Sequence, residues 1–183
     1  RLNSRDYGDV LLIPTSNVTR DQYPEFFEPL GDEQELSQTY RFTNDGAYDG
    51  TVYGLSTFGS AMGYVFNRDV FTAAGITTPP TTEKEYLADL QKIKDTGVTP
   101  YYTNYKDGWP LSTLAGNIGG VTGANALNAM TGEDAPWSAG NDIYDVDGLL
   151  YDTVAAGLSE ADPTTTNWEE SKNLLASGQI GSM

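Results

Sequence analysis

The chain has 183 residues, 38% of them hydrophobic and 20% charged, the make-up of a soluble domain able to bury one good core or parts of two. Its net charge of −16, with ten scattered Lys and Arg residues, argues against nucleic-acid binding, which needs clustered cations to meet phosphates. The absence of Cys and His removes disulfides, thiolate nucleophiles, Cys-based zinc sites and Ser-His catalysis, and argues against an enzyme, while paired carboxylates stay open.

Residues 7–14 (YGDVLLIP) form a continuous apolar run after Gly-Asp, the pattern of a buried parallel strand. Residues 21–30 place Tyr23, Phe26, Phe27 and Leu30 three and four apart, which predicts a short helix with Pro24 in its first turn. The acidic stretch 32–48 reads as a loop with one helical turn. Two strand-like runs follow, at 49–55 and from Tyr64, separated by small residues at 56–60.

Asn67 can cap a short helix carrying Val70, Phe71 and Ala74, stopped by Gly75. Thr82-Glu83-Lys84-Glu85 is a capping box for a helix that buries Tyr86, Leu87, Leu90 and Ile93 and ends at Gly97. Residues 98–102 return as a strand, and this β-α-β order implies a parallel sheet. Trp109-Pro110-Leu111 opens a further helix with proline at its first position. Residues 116–123 hold four glycines and read as a loop.

Leu149, Leu150, Val154 and Leu158 trace another amphipathic helix, for which Asp145 or Asp147 serves as N-cap. That account of NDIYDVDG is better than a calcium loop, because the downstream Glu is missing. Asn167 and Glu170 cap the last helix, with Trp168, Ser171, Leu174 and Leu175 facing inward and Gly178 as the stop. Residues 179–183 begin a strand. With Arg1-Leu2-Asn3 opening abruptly, the sequence reads as a fragment of a protein roughly twice as long.

The order and spacing of several pieces carry a resemblance. They are Asp49-Gly50-Thr51-Val52-Tyr53-Gly54-Leu55, then Tyr64-Val65-Phe66-Asn67-Arg68-Asp69-Val70-Phe71, then Ala74-Gly75-Ile76, Pro79-Pro80 and Thr81-Thr82-Glu83-Lys84-Glu85-Tyr86. Together with the Trp109-Pro110-Leu111 loop and the final Gly-Gln-Ile-Gly-Ser-Met, this sequence resembles the bacterial extracellular solute-binding proteins of sugar ABC importers (family 1, maltose-binding-protein-like), from about Gly8 to Met183. The resemblance implies an α/β fold of the periplasmic-binding-protein-like type II. Residues 1–48 would be part of the N-terminal lobe, 49–58 a hinge crossing and 59–183 most of the C-terminal lobe.

The resemblance also implies a sugar site in the interlobe cleft, on loops at strand carboxyl ends. Thr15, Ser16 and Asn17 would offer short polar groups there, unless they are an ordinary turn or cap. Phe58 would stack on a sugar or be buried at the hinge. Ser60 stands where maltose-type relatives carry a carboxylate, a departure that counts against maltodextrin. Tyr105, Asp107 and Trp109 supply the rings and carboxylate a pyranose needs, although Trp109 could equally pack at a helix start. Asn117 lies in the glycine loop, and Trp137 is a further candidate platform.

The function implied is the solute-binding component of a carbohydrate ABC importer, extracellular and either lipid-anchored or periplasmic. It would bind sugar by hinge closure, present it to the permease transmembrane subunits, and work as a monomer with no catalytic residue, metal, cofactor or nucleic-acid partner. The stretch on its own would bind sugar very weakly, since contacts from both lobes exist together only in the closed state. The alternatives are a carbohydrate hydrolase using paired carboxylates and a binder of a non-sugar solute.

Overall fold

In the computed structural model, residues 2–4, 6–13, 18–59, 62–114 and 130–183 are described, and the chain separates into two units, Arg1–Ala61 and Met62–Met183. Each is built differently.

In the first unit, a 3-10 turn at Arg20–Gln22 leads into α1 (Tyr23–Phe26), with Pro24 in its first turn as expected. The helix stops before Leu30. Phe27 is already extended, and Pro29 disfavours the helical region for the residue before it. Residues 32–48 hold more structure than a loop. β1 (Gly31–Asp32) runs into α2 (Glu33–Leu36), which Asp32 caps by accepting the Glu35 N–H at 3.0 Å. β2 (Ala47–Tyr48) and β3 (Thr51–Val52) form a hairpin, and β3 lies between β1 and β2, antiparallel to both. Asp49 (φ 48°) and Gly50 (φ 75°) are the two turn residues, both left-handed, as the Asp-Gly pair favours in the hairpin turn that matches strand twist. Gly46 has no room for a side chain, since a Cβ there would stand 2.0 Å from the Gly54 carbonyl oxygen.

The strand expected at residues 7–14 does not form over the described residues 7–13. Val10 is 94% and Leu12 82% exposed, and no described residue pairs with that run. Apolar composition favours a strand only where a neighbour takes up its N–H and C=O groups.

In the second unit, residues 64–67 pair antiparallel with β5 (Ile180–Ser182), through Val65 and Met183 at 3.0 and 3.1 Å and Asn67 and Gly181 at 2.8 Å. β5 pairs parallel with β4 (Thr99–Tyr101), which bridges in parallel to Ser159. The sheet is therefore mixed. The expected parallel β-α-β pairing does not hold between residues 64–67 and β4, because β5 lies between them and runs opposite to the first. The true parallel pair, β4 and β5, is separated by about eighty residues of chain.

Helices cover this sheet. Asn67 caps α3 (Arg68–Ala73), accepting from the Asp69 and Val70 N–H groups. Thr82 caps α4 (Glu83–Asp95), accepting from the Glu85 N–H, while the Glu85 carboxylate reaches one residue beyond the cap to the Thr81 N–H and hydroxyl, each at 2.8 Å. Leu90 and Ile93 of α4 join Val70, Phe71, Ile76, Tyr101 and Leu158 in one core. Burial pushes the Tyr64, Tyr86 and Tyr101 hydroxyls well above the usual tyrosine range, so they act as neutral groups; Tyr64 donates to the Ser182 hydroxyl.

α5 (Trp109–Thr113) opens on Trp109-Pro110 as predicted. α6 (Asp142–Ala155) starts earlier than its apolar pattern suggested. Asn141 is its N-cap position, so Asp145 and Asp147 lie inside the first two turns, where the helix dipole favours acidic groups. Thr153 takes the buried place on α6 and Val154 is exposed. α7 (Trp168–Ala176) is capped by Asn167, which accepts the Glu170 N–H at 2.9 Å, and buries Ser171 and Leu175. No helix among the described residues is long and apolar enough to cross a membrane.

Candidate functional site

At the carboxyl end of β4 the chain turns sharply. Asn104 is left-handed (φ 54°), a conformation Asn tolerates better than most residues, and its side chain is buried. A 3-10 turn at Tyr105–Asp107 follows, then Gly108 (φ 72°), then α5. This path carries Tyr105 and Trp109 to the surface, 54% and 47% exposed. Trp109 meets the Trp168 ring edge-on, with centroids 4.9 Å apart and an interplanar angle of 62°.

The loop is fastened rather than free. The Lys106 N–H donates to the Thr166 carbonyl at 3.2 Å. The Asp107 carboxylate accepts the Trp168 N–H at 2.6 Å through Oδ2. Asp107 therefore satisfies a first-turn N–H of α7, a structural duty its sequence position did not reveal, and this narrows the expectation that it serves sugar hydroxyls. Trp168 was expected to face inward. It is instead half-buried beside Trp109, and an aromatic at the first turn of a capped helix was the signal available for it.

Of the other expected site residues, Phe58 lies in the first unit and is 78% exposed. Thr15, Ser16, Asn17, Ser60 and Asn117 lie outside the described residues. Trp137 is exposed, packs edge-on to Tyr144 at 4.9 Å and donates from Nε1 to the Asp147 carboxylate at 2.9 Å. Asp142, Asp145 and Asp147 belong to α6, and no group of three or more acidic residues among the described residues is placed to hold a metal.

The second unit also contains a cavity of about 720 Å³ lined by Tyr64, Phe71, Ile76, Tyr86, Leu149 and Thr153 among others. Its described lining includes neither a carboxylate nor an amide, the groups that take paired sugar hydroxyls, so its chemistry suits an apolar filling better than a sugar. The Tyr105, Asp107, Trp109 and Trp168 face is the better candidate.

The sequence matches the family described as bacterial extracellular solute-binding protein over residues 13–183. Among solved structures, the chain is similar to an ABC-transporter binding protein of Bifidobacterium animalis subsp. lactis in complex with mannobiose, with 31% identity and a TM-score of 0.87 over 100% of this chain and 44% of that one. It is also similar to a manno-oligosaccharide-specific solute-binding protein of the same organism in complex with mannotriose, with 32% identity and a TM-score of 0.83 over 100% of this chain and 44% of that one. A curated relative, an osmoprotective compounds-binding protein of a Synechocystis strain, is 31% identical over 68% of this chain and 29% of its own length. The chain thus spans about a third of the length of the curated relatives it matches and less than half that of the two structures. The fold is the α/β, type II periplasmic-binding-protein-like fold of these neighbours, all of which are named as binding proteins. By its sequence and its fold together, the chain belongs to the bacterial extracellular solute-binding protein family.

Proposed function

We propose that the protein is the solute-binding component of a carbohydrate ABC importer, and that its ligand is a manno-oligosaccharide of two or more units. The observation that carries this reading is the aromatic face of Tyr105, Trp109 and Trp168 beside the Asp107 carboxylate, at the carboxyl end of a sheet strand. Pyranose rings present flat C–H surfaces that pack on exposed aromatic rings, and a carboxylate takes paired hydroxyls. The mannobiose and mannotriose complexes of two relatives supply the sugar class. In this reading the protein does no chemistry on the sugar, acts outside the cytoplasm, periplasmic or held by a lipid anchor, and hands its ligand to the transmembrane subunits of a permease.

The osmoprotectant-binding relative supports a second reading, in which the solute is a small compatible solute. Calorimetric titration of the full-length protein with mannobiose, mannotriose, maltose and glycine betaine separates the two. The first reading predicts saturable binding of both manno-oligosaccharides, weaker binding of maltose and no release of reducing ends on incubation. Binding of glycine betaine alone, or steady hydrolysis of mannotriose, would overturn it.

A further inference from the structure

Glu160 sits between Ser159, which bridges to β4, and the 3-10 turn Pro163–Thr165, and its sequence surroundings of Ser-Glu-Ala-Asp-Pro do not mark it. The side chain is buried, at 8% exposure. Both carboxylate oxygens accept the Thr103 N–H at 3.0 Å, and Oε1 also accepts the Thr103 hydroxyl in a short bond and the Thr166 hydroxyl at 2.9 Å. Thr103 and Thr166 are themselves buried. Among the described residues the ion pairs involve other groups, and the donors to this carboxylate are neutral.

Burying a carboxylate is costly, and a hydrophobic side chain would fill the same volume with less penalty. What the carboxylate adds is geometry. Among the described residues its donors come from two segments, and each leads directly into one ring of the aromatic face. Thr103 precedes the Asn104 turn and Trp109; Thr166 precedes Asn167 and Trp168. The bonds from Lys106 to Thr166 and from Trp168 to Asp107 join the same two segments further out.

We propose that Glu160 is a positioning residue for the aromatic face. By accepting from Thr103 and Thr166 it sets the angle at which Trp109 meets Trp168, and hence the shape presented to the sugar. The carboxylate itself touches no ligand. This inference rests on the reading above that the face takes the sugar, so its test needs a readout that is independent of sugar.

The near-ultraviolet circular dichroism of the coupled Trp109 and Trp168 rings provides one, assigned by its loss in Trp168→Phe. The variants are Glu160→Gln, which puts an amide N–H₂ where an oxygen accepts, and Thr166→Val, which keeps volume and removes one donor. Both are made in the full-length protein. We expect both to weaken the tryptophan band, with far-ultraviolet spectra retained, and to lower mannotriose affinity about tenfold. Glu160→Asp, which keeps the acceptors, is expected to restore part of both signals.

A band at wild-type strength in Glu160→Gln and Thr166→Val overturns the proposal, including when their melting temperatures fall, since that outcome makes Glu160 a stability residue only. Should Glu160→Gln fail to fold, the band of Thr166→Val decides alone. A protein that binds no mannotriose defeats the functional reading, while the band still decides the role of Glu160.

Discussion

Two short apolar runs, residues 10–13 (VLLI) in the first unit and 64–67 (YVFN) in the second, look alike in sequence and have different fates. The second is paired along its length with β5, and its Tyr64 ring stacks on Tyr101 with centroids 6.2 Å apart. The first pairs with nothing among the described residues and leaves Val10 and Leu12 in solvent. A strand is made by the neighbour that accepts its backbone, and composition only makes a run eligible. The contrast extends to the units themselves. The second is held by a packed core under a mixed sheet, and the first by a hairpin and a few buried residues such as Tyr23 and Val52.

That contrast can be broken at its strongest point first. Ile93 is fully buried in the core of the second unit, so Ile93→Ala should cost ~2–5 kcal/mol of unfolding free energy. Leu12→Ala, in the exposed run, should change it by less than ~0.5 kcal/mol. Denaturant titrations of both variants check this, and equal losses would mean that the run at residues 10–13 is as well packed as the core.

Backbone closeness in the first unit gives the next effect. Gly46→Ala forces a Cβ to within 2.0 Å of the Gly54 carbonyl oxygen, and the backbone must move at a cost of ~1–3 kcal/mol. Gly54→Ala meets only the movable tip of Ile13 at 2.5 Å and should cost clearly less. Thermal melts of the pair rank them. In the second unit, Asp107→Ala leaves the Trp168 N–H without its acceptor and should destabilise by ~0.5–2 kcal/mol, the usual range for losing a helix-end partner. A purely ligand-facing aspartate would leave the melt unchanged and alter affinity alone.

The smallest effect is one of pH. The Thr81 N–H, and then the Thr81 hydroxyl, hold the Glu85 carboxyl below the usual carboxylate range. A group depressed in the folded state stabilises above its unfolded pKa, and that contribution disappears as pH falls through the folded pKa. The melting-temperature gap between wild type and Glu85→Gln should therefore be widest at neutral pH and close in acid. A constant gap would mean that the bonds to Thr81 do not depend on the ionised carboxylate.

Much of the helical framework was legible because its signals are local. Asn67, Thr82, Pro110 and Asn167 each stand at the helix start their residue type favours, and Gly75 and Gly178 adopt the left-handed turns that end α3 and α7. Asp49-Gly50 also carries a local signal, for the hairpin turn between β2 and β3, where the apolar pattern alone points to the start of a strand. The sheet order was hidden, since β5 enters between two strands that precede it by eighty residues or more. The site was legible only in part. Tyr105 and Trp109 were found through an aromatic-rich loop, whereas Trp168, the second duty of Asp107 and the Glu160 bonds to Thr103 depend on contacts across 57 to 61 residues of chain.

The central claim is that the Tyr105 and Trp109 face takes the sugar. It is tested most directly by titrating mannotriose into full-length wild type, Tyr105→Ala and Trp109→Ala, with a thermal melt on each sample. The account predicts a loss of ~1–3 kcal/mol of affinity in each variant from the aromatic surface removed. It also predicts small melting shifts, with Trp109→Ala losing only its edge-on contact to Trp168. A sharp fall in melting temperature for Trp109→Ala, together with unchanged affinity for Tyr105→Ala, would show the loop to be scaffold and contradict the claim.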